Sequence, residues 1–239
     1  MKHIPWKTAL GTALSVGLIA APLAAVPAFA VEASPAAGTS PVIINEAYLS
    51  GGSAGAAYKN KFVELYNTSD APVSLDGWSL QYRSATGTGL PSTVVPLSGT
   101  IAAKGLYLLK GGSNGTAGQD LPAADATGTG FNPAIGGGTI VLAKQATAVS
   151  GLATGSVIEP ANVADLLGYG SSLTFETQAA TAPSGSGDVK SLNRGTGPDS
   201  NNNSADFTLN ATITPKAANG AAAPVDPPVD PGPVTPPAT

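Results

Sequence analysis

Val42-Ile43-Ile44-Asn45-Glu46-Ala47-Tyr48 and, after a turn-rich gap, Lys61-Phe62-Val63-Glu64-Leu65-Tyr66 are the stretches that decide the fold. Both runs are short, rich in β-branched and aromatic residues, and bounded by Gly, Ser and Asn, which marks strands rather than helices. Working outward, residues 72–75, 78–82, 93–97, 106–109, 139–143, 163–169 and 206–209 read as further strands. No helix-period stretch longer than two turns occurs outside the N-terminal leader. Many short strands with frequent turn residues predict an all-β sandwich or barrel of about 180 residues. The Gly-rich pieces at 111–115 and 127–138 read as long loops, and neither has the spacing of a phosphate-cradling motif followed by a helix. Phe62, Val63, Leu65, Leu75, Leu80, Leu108, Val141, Leu166 and Phe207 are the expected core, with Trp78 packed in the sandwich.

The leader is set aside before fold reasoning. Lys2 and Lys7 precede an uncharged apolar run at 8–25, and Ala28-Phe29-Ala30 forms an A-x-A box before Val31. Residues 1–30 are therefore expected to be a cleaved signal peptide and the protein to be secreted. No second apolar run approaches the ~20 residues that span a bilayer, so no membrane span is expected after cleavage. The chain has one His, His3, and no Cys. Loss of the leader would remove that His, excluding Ser-His-Asp and Cys-His nucleophile systems, zinc sites of imidazole or thiolate, and disulfides. Without Lys2 and Lys7, nine basic residues face fifteen acidic ones, a net charge of −6. Residues 31–40 are a short lead, 41–220 the β domain, and 221–239 (A-A-A-P-V-D-P-P-V-D-P-G-P-V-T-P-P-A-T) a Pro-rich linker or stalk favouring extended polyproline II.

V-I-I-N-E-A-Y-L-S-G-G at 42–52, K-F-V-E-L-Y-N-T-S at 61–69 and V-S-L-D-G-W-S-L at 73–80 resemble the opening of a lamin tail domain. L-Y-L-L at 106–109, G-T-I-V-L at 138–142, V-A-D-L-L-G-Y-G at 163–170 and S-L-N-R-G-T-G-P-D-S-N-N-N-S-A-D-F at 191–207 are similar to its later parts. The resemblance implies an immunoglobulin-like β-sandwich, here with long Gly-rich loops, a signal peptide before it and a Pro-rich tail after it. In exported bacterial proteins such a domain accompanies catalytic partners, notably extracellular nucleases of the endonuclease/exonuclease/phosphatase fold. The chain resembles the N-terminal part of such a nuclease, but the catalytic domain is absent, and that fold relies on a His which the mature chain lacks.

Two acid patterns bear on chemistry. Glu46 and Glu64, on neighbouring strands, could face each other as a glycosidase pair; the alternative is that they orient loops, accept backbone N–H bonds or sit on an exposed face. Asp199, Asn201, Asn203 and Asp206 form D-x-N-x-N-x-x-D, whose alternating oxygens can converge on calcium. The pattern lacks a Gly at Ser204 and a bidentate acid farther on, so the alternative is an Asn-rich turn. No other cofactor is expected. Phosphate binding needs clustered cations, and the densest pair is Lys59 and Lys61, so the charge argues against direct nucleic-acid binding. The expected function is a non-catalytic exported module for interaction, attachment or display, its partner an extracellular protein or cell-envelope component. The alternative is a truncated N-terminal portion of an extracellular nuclease.

Overall fold

A computed structural model of the chain describes residues 40–158 and 160–219. The leader at 1–30 and the tail at 221–239 lie outside the described residues. Fourteen strands follow one another along the described chain. The first seven are β1 (Val42–Tyr48), β2 (Phe62–Asn67), β3 (Val73–Ser74), β4 (Ser79–Ser84), β5 (Thr93–Pro96), β6 (Thr100–Ile101) and β7 (Leu106–Lys110). The rest are β8 (Ala126–Thr127), β9 (Gly137–Ala143), β10 (Gly155–Ser156), β11 (Val163–Gly170), β12 (Thr174–Phe175), β13 (Ser191–Arg194) and β14 (Phe207–Asn210). A single helical turn, α1 (Asn203–Asp206), leads into β14.

Two sheets carry the sandwich. One is six-stranded in the order β14-β13-β1-β2-β7-β8, the other four-stranded in the order β11-β9-β4-β5. Their inner faces meet through Val42, Ile44, Val63, Leu65, Tyr107 and Leu109 on one side and Leu80, Tyr82, Ile140, Leu142, Leu167 and Tyr169 on the other. Two shorter ladders, β3-β6 and β10-β12, fasten loops at the margins. Among the described residues no helix is long and apolar enough to cross a membrane.

All nine predicted core residues are buried, but they do not share one core. Successive strand residues point to opposite faces, so Phe62 and Val63 cannot both lie between the sheets. Phe62 and Leu108 pack with Tyr48, Tyr58 and Ile213 on the outer face of the larger sheet. Val141 and Leu166 pack with Val149 and Leu152 outside the smaller one. Loops cover both outer faces, which is why the strands read as almost continuously apolar.

Trp78 is half-buried at the margin of the central cluster, just before β4, rather than deep within it. Its backbone N–H bonds the Leu75 carbonyl and its carbonyl accepts from Leu97, closing the turn into that strand. Trp78→Ala is therefore expected to cost about 2–3 kcal/mol, below the 3–5 of a fully buried Trp. Denaturant unfolding reads this as a lower midpoint with an unchanged slope; an unmoved midpoint would mean the indole does not pack.

Candidate functional site

The outer face of the six-stranded sheet presents cross-strand rows. Tyr48 pairs with Phe62; Glu46 pairs with Glu64, which pairs with Leu108; Ile43 pairs with Tyr66, which pairs with Leu106. A β-bulge between Ile44 and Glu46 shifts the register of β1 and aims Glu46 outward, directly opposite Glu64. The two glutamates thus face each other, as the sequence allows.

They do not face solvent. Both are fully buried, because the segment after β14 crosses over them. Ile213 joins the aromatic cluster around Tyr48 and Phe62. Thr214 donates its N–H to Glu46 Oε2 at 3.2 Å and its hydroxyl to the same oxygen at 2.9 Å. Ser191 Oγ (2.6 Å) and Asn193 Nδ2 (3.3 Å) donate to Glu46 Oε1. Lys216 donates its backbone N–H to Glu64 Oε2 at 2.5 Å, and Asn45 Nδ2 donates to Oε1 at 3.0 Å. Asn219 returns to β1 and β13, donating to the carbonyls of Asn45 (3.0 Å) and Arg194 (2.9 Å). A glycosidase pair needs a water or sugar between its carboxyls; here the chain's own amides and hydroxyls take that place.

Burial pushes the Glu64 carboxyl up to about 7, the donors from Lys216 and Asn45 opposing it and the nearby Glu46 adding to it. Burial raises Glu46 as well. A folded carboxyl that holds its proton more tightly than the unfolded one loses stability on ionising. For Glu64 the loss falls between about pH 4.5 and 7 and is on the order of 3 kcal/mol at most. Lys61, buried against the Pro133 carbonyl, is pushed down to about 8 by burial, so its effect lies above that window. Thermal midpoints measured from pH 4.5 to 7.5 should fall as pH rises; a rising curve would contradict the buried-acid geometry.

A second charged cluster surrounds Arg194 at the end of β13. Its guanidinium bonds Asp165 at 2.7 Å, Asp199 at 3.1 Å and Asp206 at 3.3 Å, and lies 4.5 Å above the Phe207 ring. Burial alone would depress its pKa; the three aspartates outweigh burial and raise it. Asp165 Oδ2 also accepts the Ile44 N–H at 2.5 Å, while Arg194 Nε donates to the Ile44 carbonyl at 2.7 Å. The ion pair thus takes over the backbone of β1 where its register with β13 ends and ties it to β11 of the other sheet. Glu176 completes the group, pushed up to about 9 by burial and by the charges of Asp165 and Asp199.

The four residues of the D-x-N-x-N-x-x-D pattern have partners within the protein. Asp199 and Asp206 hold Arg194. Asn203 accepts the N–H groups of Gly168 (2.8 Å) and Glu176 (2.9 Å) and donates to the Leu166 carbonyl (2.7 Å) and Glu176 (2.8 Å). Asn201 stands at a left-handed turn (φ 54°), its carbonyl accepting the Thr177 hydroxyl. Among the described residues, the carboxylates whose oxygens come within 4.8 Å of one another are instead Asp165, Glu176 and Asp199. They are the residues that could hold a cation, and Arg194 already supplies a positive charge to two of them.

Sequence reasoning missed Arg194, Asp165 and Glu176. In a chain only 11% charged, an Asp inside V-A-D-L-L and an Arg closing S-L-N-R were the available signals, since a charge in a strand buried on both faces needs a partner. Gly168 carried another. A side chain there would meet the Thr174 carbonyl at 2.2 Å, so a strand glycine marks where β12 and Asn203 crowd β11.

The fold and site define a class first: a β-sandwich whose acid pair is consumed by its own chain. The Lamin Tail Domain profile matches residues 35–158, more than half of the chain. The chain belongs to the lamin tail domain family, a non-catalytic immunoglobulin-like family. The match ends before β11, and β11, β13 and β14 complete both sheets from beyond it. No curated protein matches the chain.

Proposed function

We propose that this chain is an exported, non-catalytic interaction module that attaches to, or displays, an extracellular or cell-envelope partner. The observation that supports it best is the occupation of Glu46 and Glu64 by Thr214, Lys216, Ser191 and Asn45, which leaves the paired acids no exposed oxygen for chemistry. Charge supports it too. Lys61 is buried and Lys59 is paired with Asp120 at 3.0 Å, so the densest basic pair offers little to a phosphate backbone. The A-x-A box supports export, and the Pro-rich segment at 221–239 supplies a stalk. The resemblance to the front of extracellular nucleases makes a nuclease a natural partner in cis or in trans.

The test is the protein from culture supernatant, whose intact mass should begin at Val31. It should cut neither DNA nor polysaccharide with Mg²⁺, Mn²⁺ or Ca²⁺ present. Millimolar Ca²⁺ should leave its melting midpoint in place, whereas an ion at a hundredfold its Kd would add about 2.7 kcal/mol. Cleavage that copurifies with the protein and vanishes in Glu46→Gln or Glu64→Gln would overturn the proposal.

A further inference from the structure

The two ends of the described domain are fastened to each other. Asn219 and Asn45 of β1 exchange hydrogen bonds amide to amide: Asn45 Nδ2 donates to Asn219 Oδ1 at 3.2 Å, and Asn219 Nδ2 donates to Asn45 Oδ1 at 3.0 Å. Between β14 and this staple, residues 211–219 form no strand or helix. They meet the six-stranded sheet at separate points in turn. Ile213 enters the aromatic cluster, Thr214 bonds Glu46, Lys216 bonds Glu64 through its amide and Asp125 through its ammonium, and Asn219 bonds β1 and β13. The other end is held differently. The Pro41 carbonyl accepts the Thr68 N–H at 2.7 Å and the Thr68 hydroxyl at 3.0 Å. The strand that follows, β1, pairs with β2 from Val42 to Tyr48 and with β13 at Glu46 and Ala47, and its Val42 and Ile44 lie in the central core.

We propose that residues 211–219 are a tension-released catch: pull on the chain beyond Asn219 peels them off the sheet while the sandwich stays folded. The inference rests on the reading of the chain as an attachment module, since a tethered partner is what supplies the tension. Load entering at residue 219 falls first on the Asn219 amide, then on Lys216, then on Thr214 and Ile213, so the contacts break one at a time. Load entering at residue 41 meets a strand with neighbours on both sides and its inner face in the core. A segment with few apolar contacts and no ladder opens at lower cost than such a strand. Without load the contacts act together and the catch stays shut. Under load it uncovers Glu46, Glu64 and the Tyr48–Phe62 row, and nine residues at about 3.5 Å each yield up to about 30 Å of slack.

The chain has no native Cys, so Glu32→Cys and Thr239→Cys place one handle at each end of the mature protein for single-molecule stretching. The handles supply the tension themselves, so the result does not depend on a natural partner; failure of the attachment reading would show in the cleavage assays instead. Two ruptures are expected. The early one releases up to about 30 Å of chain, and the later one, on the order of 500 Å, is the unfolding of the sandwich. Moving the second handle to Thr212→Cys, an exposed position ahead of every contact of the segment, should abolish the early rupture and keep the later one. With the handles at the two ends, Asn219→Ala should lower the early rupture force by at least a third and leave the later force unchanged. A single rupture with the handles at residues 32 and 239 would overturn the proposal. So would an early rupture that persists with the handle at residue 212, or one whose force Asn219→Ala does not change.

Discussion

Arg194→Met should lower stability by about 3–5 kcal/mol, the expected cost of removing one member of a buried ion cluster. Three aspartates lose their counter-charge at once, and two of them, Asp165 and Asp206, are buried. The Ile44 carbonyl loses its donor where β1 has run past its register with β13. Because whole domains are stable by only about 5–15 kcal/mol, a large share of the molecules should unfold near physiological temperature. Asp165→Asn should cost less by itself and should recover part of the loss in the double variant, since the unpaired charge is then gone. Urea unfolding of the four proteins of the cycle measures this. A single-variant loss below about 1 kcal/mol, or strict additivity, would mean that the cluster is solvated rather than buried.

Glu46→Ala is the second large effect, about 3 kcal/mol. The Thr214 N–H and hydroxyl, Ser191 Oγ and Asn193 Nδ2 all lose an acceptor in a buried site, Asn193 keeping its bond to Ser191 Oγ, and each buried orphan costs about 1–3 kcal/mol before relaxation. Relaxation is available, because residues 211–219 form no strand or helix and can shift to let water in. The loss should therefore be smaller than the sum of the broken bonds and should come with exposure of Ile213 and the Tyr48 cluster. Glu46→Gln keeps an acceptor and should cost about 1 kcal/mol. If Ala and Gln cost the same, the carboxylate is not holding the segment.

The all-β class, the first two strands and the nine core residues were legible because β-branched alternation and turn residues are local signals. β1 and β2 fall where the V-I-I-N-E-A-Y and F-V-E-L-Y runs put them. β13 was invisible as a strand. Ser191, Asn193 and Arg194 have no apolar surface to announce burial, yet all three are buried, held by Glu46 and the aspartates rather than by hydrophobic contact. The 206–209 strand was placed one residue early, since Asp206 ends a capped helical turn in which Asn202 accepts the Ala205 N–H. Residues 72–75 shrink to the two-residue β3, paired only with β6 at the margin.

The site was legible only in part. That Glu46 and Glu64 face each other followed from strand adjacency. That they are sealed did not, because the covering residues Thr214 and Lys216 lie 168 and 152 residues away and carry no recognisable pattern. The aspartate and asparagine spacing near residue 200 was read as one local loop. In part it is one: Asp206 accepts the Ser200 N–H and hydroxyl and Asp199 accepts the Asn201 N–H, while the same two aspartates also hold Arg194 and Asn203 reaches the Gly168 amide, the Leu166 carbonyl and Glu176. Spacing along the chain reported the local turn, but not the reach of Asn203 to β11 or of the two aspartates to Arg194 on β13.

Amide hydrogen exchange at Thr214 and Lys216 tests most directly whether the paired glutamates are occupied by the chain itself. Both N–H groups donate to buried carboxyl oxygens, so they should exchange as slowly as the amides of β1 and β2 at pH 6. In Glu46→Ala, Thr214 should exchange at least tenfold faster than in the native protein. Exchange at the rate of an unfolded chain at both positions in the native protein would contradict the account, leaving Glu46 and Glu64 as an open acid pair.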